Sequence, residues 1–393
     1  MEKLSVLGDL SPQQFLDEYW QKQPVVIRQA FPDLELPFTP EELAGITCDT
    51  NAPSRIIVEH GFGSKPTPWQ DKHGPFTDED FTSLPDTHWT FLVNDLERYV
   101  PELGNLIEPF RFIPDWRIDD LMVSYAADHG SVGPHTDEYD VFLIQGMGKR
   151  RWKIINHDDY PKDIIPDLSL SILAEFEADQ EWLLEAGDML YLPPNVPHYG
   201  IAEGECMTFS VGFRAPSKQE LIQNWVESFT NTPAFKQRYQ DAQRKVQLSS
   251  GEIHQEDINA LSKLLLDGLH LQEHNLTQWL GKYLTETRGD HSQNEKLEDQ
   301  TKLALAEGYK PNDNYERESY LRFAYIESQD TAIIDFFANG KHITLPIEHK
   351  KTIQQLSSDY YYSAESLSKI ITNPDFKTLF NELIAEGGIY PAD

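Results

Sequence analysis

Two residues that could bind a metal stand two positions apart in the triplet His135-Thr136-Asp137. If this stretch is a strand, side chains alternate between its faces, so His135 and Asp137 point the same way and Thr136 points opposite. An imidazole nitrogen and a carboxylate oxygen then converge on one point. Such a pair suits a divalent metal, and a second histidine would complete a 2-His-1-carboxylate face with three open positions. A lone triplet of this kind also occurs by chance, so the prediction depends on the second histidine.

A suitable second histidine follows another short strand, 61 positions after Asp137. The stretch EAGDMLYLPPNVPH contains a turn at Ala186-Gly187-Asp188, a short buried strand, and the rigid dipeptide Pro193-Pro194 before His198. A separation of 61 residues leaves room for the intervening strands of a barrel before the chain returns beside the first motif. We therefore predict that His135, Asp137 and His198 form one metal site.

The sequence around these residues resembles the JmjC-type ribosomal oxygenases, and most closely the bacterial YcfD family of arginine hydroxylases. The resemblance is carried by GPHTDEYDVFLIQGMGKRRW, GDMLYLPPNVPH and FSVGFRAP. It covers nearly the whole chain and is densest between residues 110 and 216. It implies a double-stranded β-helix that binds Fe(II) and 2-oxoglutarate, reacts with O2, and releases succinate and CO2. It also implies a substrate, one arginine of large-subunit ribosomal protein sixteen.

Three adjacent cations, Lys149, Arg150 and Arg151, follow the turn signal Gly146-Met147-Gly148 in an otherwise acidic chain. A dicarboxylate needs a partner for its distal carboxylate, and a guanidinium offers two parallel hydrogen bonds. Alternation places Arg150 on one strand face with Trp152, and the other two cations on the opposite face. The resemblance implies that Arg150 binds 2-oxoglutarate. We interpret Lys149 and Arg151 as an exposed basic edge that discourages aggregation.

Three further residues are candidates for binding the substrate. A substrate arginine needs acidic or hydroxyl partners in a pocket with aromatic walls. Ser210, Tyr139 and Asp128 have suitable side chains and lie close in sequence to the motifs.

Other polar residues of the motif region are not predicted to be metal ligands. We interpret His129 as a solvated histidine, because it lies in a loop and not on one strand with His135. Glu138 is expected to face away from the metal, and Asp140, at an odd spacing from Asp137, does not share its strand face. Both are therefore predicted to be structural or to support the metal ligands from outside.

Composition constrains the class of protein. The 393 residues suit two or three domains. The net charge of −32 disfavours direct binding of nucleic acid and favours a basic protein partner, although simple solubility explains it equally well. Only two cysteines are present, which indicates a reducing cytoplasm. We found neither a signal-peptide core nor an apolar run of the roughly 18 to 20 residues needed for a membrane span.

The fold class predicted from these patterns is α+β, with three parts. Residues 1–216 are predicted to form a JmjC/cupin-like barrel with an N-terminal extension. Residues 217–284 are predicted to be helical, and the resemblance implies that they form a homodimer. Residues 285–300 are polar and without apolar periodicity, as in a linker. The resemblance implies that residues 301–393 are a winged-helix-like domain, whose net charge of −5 argues for a structural or protein-facing role.

The predicted elements follow from hydrophobic periodicity and from turn residues. Proline-led helices are expected at Pro12 and Pro40, and a loop at 61–80. The Asn339-Gly340 pair predicts a β-hairpin. Other strands are expected at 24–27, 54–59, 89–93, 118–125, 319–326, 331–337 and 342–345. Other helices are expected at 219–229, 233–247, 258–269, 350–356, 364–371 and 374–386.

Several functions other than arginine hydroxylation remain open at this point. The same ligands could serve a non-oxidative metal-binding cupin, in which Arg150 would have no cosubstrate to bind. A catalytically inactive docking protein is disfavoured by the complete set of three ligands. Within the oxygenases, ribosomal histidine hydroxylation and JmjC lysine demethylation also fit, because fold and metal site do not determine the substrate.

Overall fold

The computed structural model describes most of the chain as two compact units. The first unit comprises Met1–Ala215 with Glu318–Tyr320, and the second comprises Pro216–Arg317 with Leu321–Asp393. The residues described are 5–60, 69–166, 168, 170–230, 233–242, 253–270, 276–287, 308–328 and 332–392. Residues 288–300 of the predicted linker and residues 61–68 of the loop predicted at 61–80 lie outside them. No helix of the described ranges is long and apolar enough to cross a membrane.

Strands of the first unit form one antiparallel sheet that folds back on itself. In chain order they are β1 (Val25–Ile27), β2 (Ser54–Glu59), β3 (Trp69–His73), β4 (Trp89–Val93), β5 (Ile118–Ala126), β6 (Val141–Ile154), β7 (Gln180–Glu185), β8 (Met189–Leu192) and β9 (His198–Phe213). Their order across the sheet is β1-β8-β6-β9-β5-β4-β2-β3, with β7 also paired to β6. Because the two halves of the long strand β6 pair with β8 and β7 respectively, the sheet divides into the two faces of a double-stranded β-helix. The fold class predicted from the sequence is confirmed.

Two proline-led helices lie in the N-terminal part of the chain, as predicted, one on each side of β1. α1 (Pro12–Glu18) and α2 (Pro40–Asp49) each begin with a complete capping box, formed by Ser11 and Gln14 in α1 and by Thr39 and Glu42 in α2. The shorter helices α3 and α4 follow at Asp78–Thr82 and Gly104–Ile107. Each cap satisfies backbone N–H groups that would otherwise lack a partner at the helix start.

The outer face of β6 carries the main core, which leaves its inner face for the site. Phe142 is fully buried, and its ring centroid lies 4.4 Å from that of Phe110 and 5.4 Å from that of Phe15 in α1. Its neighbours Val141 and Leu143 point into the barrel. Burying such side chains stabilises the fold by about 1.5–3 kcal/mol each. The core therefore fixes the strand that carries the inward residues.

One expectation for the first unit is wrong. The segment predicted as a loop at 61–80 contains β3, which pairs with β2 from Arg55↔His73 to Glu59↔Trp69. Its sequence WQDKH is polar because an edge strand has one solvent-facing side, so hydrophobic periodicity could not reveal it.

The second unit combines helices with two small sheets. The helices are α5 (Lys218–Thr230), α6 (Gln255–His270), α7 (Leu276–Thr285), α8 (Lys350–Ser358), α9 (Ala364–Ser368) and α10 (Pro374–Ala385). The strands are β10 (Tyr315–Arg317), β11 (Phe323–Glu327), β12 (Ile333–Ala338), β13 (Lys341–Pro346), β14 (Tyr361–Tyr362) and β15 (Ile389–Pro391). Asn339 and Gly340 have φ of +47° and +72° between β12 and β13, which confirms the predicted hairpin.

Two predictions for the second unit need correction. The helix expected at 233–247 is a 3-10 turn at Pro233–Lys236 followed by irregular chain, and 243–250 lie outside the described residues. The strand expected at 319–326 starts later, at Phe323, and the short strand β10 precedes it. Short strands of this kind depend on pairing with β14 and β15, which are distant in sequence.

Candidate active site

Two histidines of the predicted metal site are joined through their backbones. The N–H of His135 donates to the carbonyl of His198 (3.0 Å), and the N–H of His198 donates back to the carbonyl of His135 (2.9 Å). Their ring centroids are consequently 4.3 Å apart. The assumption of a regular strand here is wrong, because His135 belongs only to this isolated bridge and Asp137 lies in the loop before β6.

Asp137 is brought to the histidines by a loop contact. Its backbone carbonyl accepts a hydrogen bond from the N–H of Asn195 (2.7 Å), in the turn that follows Pro193-Pro194. Its Oδ2 lies 3.5 Å from Nε2 of His198 and 3.9 Å from Nε2 of His135. The potential ligand atoms of the three residues all lie within 4.8 Å of one another.

Backbone carbonyls determine which ring nitrogen of each histidine is available. Nδ1 of His135 lies 2.9 Å from the carbonyl of Gly133, and Nδ1 of His198 lies 2.9 Å from that of Val196. Since a carbonyl only accepts, Nδ1 carries the proton and Nε2 keeps its lone pair for a metal. Burial, and then the neighbouring His135, lower the pKa of His198 to about 4, so its imidazole is neutral at pH 7.

The three residues lie at the wall of a cavity of 160 Å³ inside the barrel. Its other walls come from the inward faces of β5, β6 and β9, whose residues include Ser124, Arg150 and Thr208. Because β5 and β6 both pair with β9, the strand register brings residues distant in sequence to one surface.

Arg150 is a buried cation without an anionic partner. It is 2% exposed, and no carboxylate of the described residues lies within 4.0 Å of it. Its guanidinium donates to Ser124 Oγ (3.2 Å), to Thr208 Oγ1 (3.5 Å) and to the carbonyl of Gly200 (3.4 Å), while Nε has no partner there. Burial lowers the pKa of Arg150. Such a buried charge favours binding of an anion.

The neighbouring cations point away from the cavity, as strand alternation predicts. Lys149 pairs with Glu185 (2.5 Å), and Arg151 pairs with Glu203 (2.6 Å) and Glu181 (3.1 Å). Their charges are balanced at the surface, so within the basic trio only Arg150 faces a ligand site.

An acidic group lies across the cavity and was not identified from the sequence. Asp120 of β5 lines the cavity with Tyr139 and Ser210. Its Oδ2 accepts hydrogen bonds from Asn94 Nδ2 (3.2 Å) and from the N–H of Asp95 (3.3 Å), and no cationic side chain of the described ranges lies within 4.0 Å. Burial, and then the charges of Asp95 and Asp119, raise the pKa of Asp120 to about 6. Burial, and then the charge of Asp137, raise the pKa of Tyr139.

Asp128, the third substrate candidate from the sequence, does not line this cavity. Its Oδ1 instead accepts a hydrogen bond from the N–H of Gly204 (2.7 Å). Closeness in sequence to the motif was therefore misleading. Glu138 is exposed, as expected. Asp140 is buried in a structural network, where it accepts from the hydroxyl of Tyr191 (2.7 Å).

The donor set fits a first-row transition metal that keeps open positions. Two neutral imidazoles and one carboxylate, all presented from one side, are the ligands of non-haem Fe(II) sites, and Zn²⁺ or Co²⁺ can also bind them. The cavity beside them has an anion-binding end at Arg150 and an acidic end at Asp120. This arrangement can therefore hold a metal, a small anion and a cationic side chain together.

Comparisons with known proteins agree with this geometry. A family model described as the JmjC domain matches residues 105–221, and one described as the ROXA-like winged helix matches residues 254–390. The chain is 33% identical over 378 residues to the ribosomal protein uL16 3-hydroxylase of Escherichia coli, with 95% of each chain covered.

Solved structures show the same similarity over the whole length. The X-ray structure of E. coli YcfD superimposes with a TM-score of 0.75 at 32% identity, covering 98% of this chain and 99% of that one. A structure of YcfD in complex with cobalt and 2-oxoglutarate gives a TM-score of 0.74 at 31% identity, with 98% and 99% covered. Barrel and site together define a JmjC-type oxygenase of the 2-oxoglutarate-dependent class. Within that class, the chain belongs to the YcfD family of ribosomal oxygenases.

Proposed function

We propose that the protein hydroxylates an arginine side chain of a ribosomal protein, the counterpart of uL16, using Fe(II), 2-oxoglutarate and O2. One observation carries the proposal. The potential metal-binding triad faces one cavity of 160 Å³ together with Arg150 and Asp120, neither of which has an ionic partner among the described residues. The similarity to a protein named uL16 3-hydroxylase supports the ribosomal substrate.

Different residues bind the metal and the cosubstrate. His135, Asp137 and His198 hold the metal, and Arg150 with Ser124 binds the distal carboxylate of 2-oxoglutarate. When bound, iron(II) and 2-oxoglutarate supply the oxidising power from O2, with succinate and carbon dioxide as by-products. The protein's contribution is to hold one substrate C–H bond near the metal and to exclude others.

Asp120 is the residue that favours arginine. An ionised carboxylate can accept two parallel hydrogen bonds from a guanidinium. Tyr139 provides an aromatic wall and Ser210 a hydroxyl beside it. A histidine side chain cannot offer the Asp120 carboxylate the two parallel hydrogen bonds that a guanidinium offers. Ribosomal histidine hydroxylation is therefore the less favoured alternative.

Two properties of the whole chain complete the proposal. The net charge of −32 attracts a basic ribosomal protein and repels assembled rRNA, so the substrate is the protein before or apart from the ribosome. Exposed apolar residues of α6, Ile258, Leu261 and Leu265, favour a homodimer. Since its substrate is made in the cytoplasm, we place the enzyme there.

The test is incubation of the protein with Fe(II), 2-oxoglutarate and purified uL16, followed by mass spectrometry. We expect a mass gain of one oxygen atom that maps to an arginine. Asp120→Asn should lose most of this activity, and the matched control Asp128→Asn should keep it. If uL16 with that arginine changed to lysine still gains oxygen at the full rate, another residue is the target and histidine hydroxylation becomes the favoured function.

A further inference from the structure

One strand irregularity lies opposite a glycine at the wall of the cavity. Between β5 and β9 the register shifts by one residue, so that Asp119 and Asp120 together oppose the single residue Gly212. The pairs on either side of this shift are Ile118↔Phe213 and Leu121↔Val211. Such bulges are common beside active sites, where they change the direction of a side chain. Here Asp119 forms an ion pair with Arg214 (3.0 Å), whereas Asp120 lines the cavity.

The carboxylate of Asp120 is held in one orientation. Its Oδ2 accepts the hydrogen bonds from Nδ2 of Asn94 (3.2 Å) and from the N–H of Asp95 (3.3 Å). Its Oδ1 forms no hydrogen bond or ion pair with the described residues. Turning the carboxylate would break both bonds to Oδ2, so Oδ1 stays available to a ligand in the cavity.

Gly212 leaves an open space between this oxygen and an aromatic ring. Like Thr208 and Ser210 before it on β9, Gly212 faces the cavity. A Cβ at residue 212 would lie 3.3 Å from Oδ1 of Asp120 and 3.9 Å from Cε2 of Tyr139. The φ of Gly212 lies outside the left-handed region, so the backbone does not require glycine there. What glycine provides is space, because it lets a ligand approach the strand backbone between the carboxylate and the ring.

The groups around this space restrict the ligand that fits it. A guanidinium is planar, so it can lie against an aromatic ring while its N–H groups donate to a carboxylate. The ammonium of a lysine is a compact charge that does not stack in this way. A carboxylate oxygen beside an aromatic ring therefore favours a planar cation over a tetrahedral one.

We propose that Gly212 is a specificity-determining residue, whose missing side chain opens a slot between Asp120 and Tyr139 for the planar guanidinium of the substrate arginine. This inference rests on the proposed function, because it requires an arginine substrate. In the slot, N–H groups of the guanidinium donate to Oδ1 of Asp120 while its plane contacts the ring of Tyr139. A methyl group at residue 212 would contact both groups and occupy the space between them.

The experiment measures equilibrium binding of purified uL16 to the full-length protein loaded with Mn(II) and 2-oxoglutarate, with Mn(II) in place of iron so that no turnover occurs. For Gly212→Ala we expect the Kd for uL16 to rise about tenfold or more, the range for loss of a hydrogen bond to a charged group. Affinities for Mn(II) and 2-oxoglutarate should not change, because the nearest neighbours of the new Cβ belong to Asp120 and Tyr139. The matched control is Gly45→Ala in α2, where a Cβ meets nothing within 4 Å.

A second substrate separates recognition of the guanidinium from general damage to the site. In uL16 with the hydroxylated arginine changed to lysine, the planar group is absent. We expect Gly212→Ala to weaken binding of this variant far less than binding of unchanged uL16. Wild-type affinity of Gly212→Ala for uL16, or equal weakening for both forms of uL16, overturns the slot and leaves the proposed function intact. If the oxygen that the iron-loaded wild type adds to uL16 maps to no arginine, the proposed function falls together with this inference.

Discussion

Asp120 and Arg150 carry opposite charges in one cavity, and burial disfavours the charged form of each. Burial raises the pKa of the Asp120 carboxyl to about 6 and lowers the pKa of the Arg150 guanidinium. Neither residue pairs with an opposite charge in the described structure, so each is available to a ligand of opposite sign. The two ends of the cavity therefore select their ligands by charge.

Ionisation of Asp120 should control substrate capture. Because its folded-state pKa lies above the usual value of about 3.9, the carboxyl is neutral below about pH 6 and ionised above it. We expect kcat/KM for the arginine protein to rise through about pH 6, since this ratio reports ionisation in the free enzyme. Asp120→Asn should abolish that rise along with most of the activity. A wild-type profile that is flat between pH 5 and about 7 would contradict the assignment.

The same pKa shift affects stability. A raised carboxyl pKa means that the folded state holds its proton to higher pH than the unfolded chain does. The contribution of Asp120 to the free energy of unfolding therefore falls as pH rises from about 4 to about 6. Asp120 therefore lowers the free energy of unfolding at neutral pH.

Removing the guanidinium of Arg150 should weaken binding of 2-oxoglutarate. For Arg150→Ala we expect a loss of about 1.5–3 kcal/mol in binding free energy, measured by calorimetry on Mn(II)-loaded protein. Arg151→Ala is the control, because that residue pairs with Glu181 and Glu203 at the surface. Equal losses in the two variants would show that net charge, rather than a specific contact, attracts the anion.

Removing the carboxylate of the triad should remove most of the metal. Asp137→Ala leaves two imidazoles, so we expect the iron content measured after dialysis at neutral pH to fall far below one per chain. His129→Ala, which changes an exposed loop histidine outside the triad, should retain the wild-type content. Full metal content in Asp137→Ala, together with normal turnover, would reject the assignment.

At the scale of elements, strand pairing decides which parts of the site could be predicted. Alternation along β6 correctly separated Arg150 from Lys149 and Arg151, because it depends only on local geometry. The place of Asp120 depends on pairing, since it shares a face with Met122, which pairs with Ser210 on β9. The sequence does not reveal that register, and Asp120 was missed for this reason.

Loop contacts limited the prediction in a different way. His135 and Asp137 were predicted to be ligands of one metal site. Their side chains do come together with that of His198, but the assumed strand is absent. Their convergence depends on backbone bonds to His198 and Asn195, which are more than 55 positions away. The motif residues indicated where the site is. The residues that contact them and hold them together are distant in sequence, so the sequence did not reveal how the site forms.

The close approach between β9 and β6 gives a prediction at this scale. In Gly200→Ala, the new Cβ would collide with Nε of Arg150 and with the ring of Trp152. We expect weaker binding of 2-oxoglutarate with normal metal content, because His198 lies two positions away and keeps its backbone bonds. Gly204→Ala is the control on the same strand, since a Cβ there meets nothing within 4 Å and only its φ of +72° is strained. Similar 2-oxoglutarate affinities in the two variants would contradict this account.

At the scale of the whole molecule, α6 presents an apolar stripe to solvent. Ile258, Leu261 and Leu265 recur at helical spacing and are 45%, 48% and 66% exposed. Contiguous exposed apolar residues mark interaction surfaces, and we expect a homodimer at micromolar concentration.

The proposed dimer can be tested with matched charge changes on one helix. The double variant Leu261→Glu with Leu265→Glu should be monomeric by light scattering, because it places charges within the stripe. Lys263→Glu changes the net charge by the same amount on the opposite face of α6 and should remain dimeric. A monomeric wild type would reject the homodimer.

The unpaired charge of Arg150 also links the cosubstrate to the amount of folded protein. A dicarboxylate that binds this guanidinium binds the folded chain and not the unfolded one, so it shifts the folding equilibrium by mass action. At a concentration a hundredfold above its Kd, the shift is about 2.7 kcal/mol. Because proteases remove unfolded chains, a cell with little 2-oxoglutarate would retain less of the protein. Metabolic supply would then set the abundance of this enzyme as well as its rate.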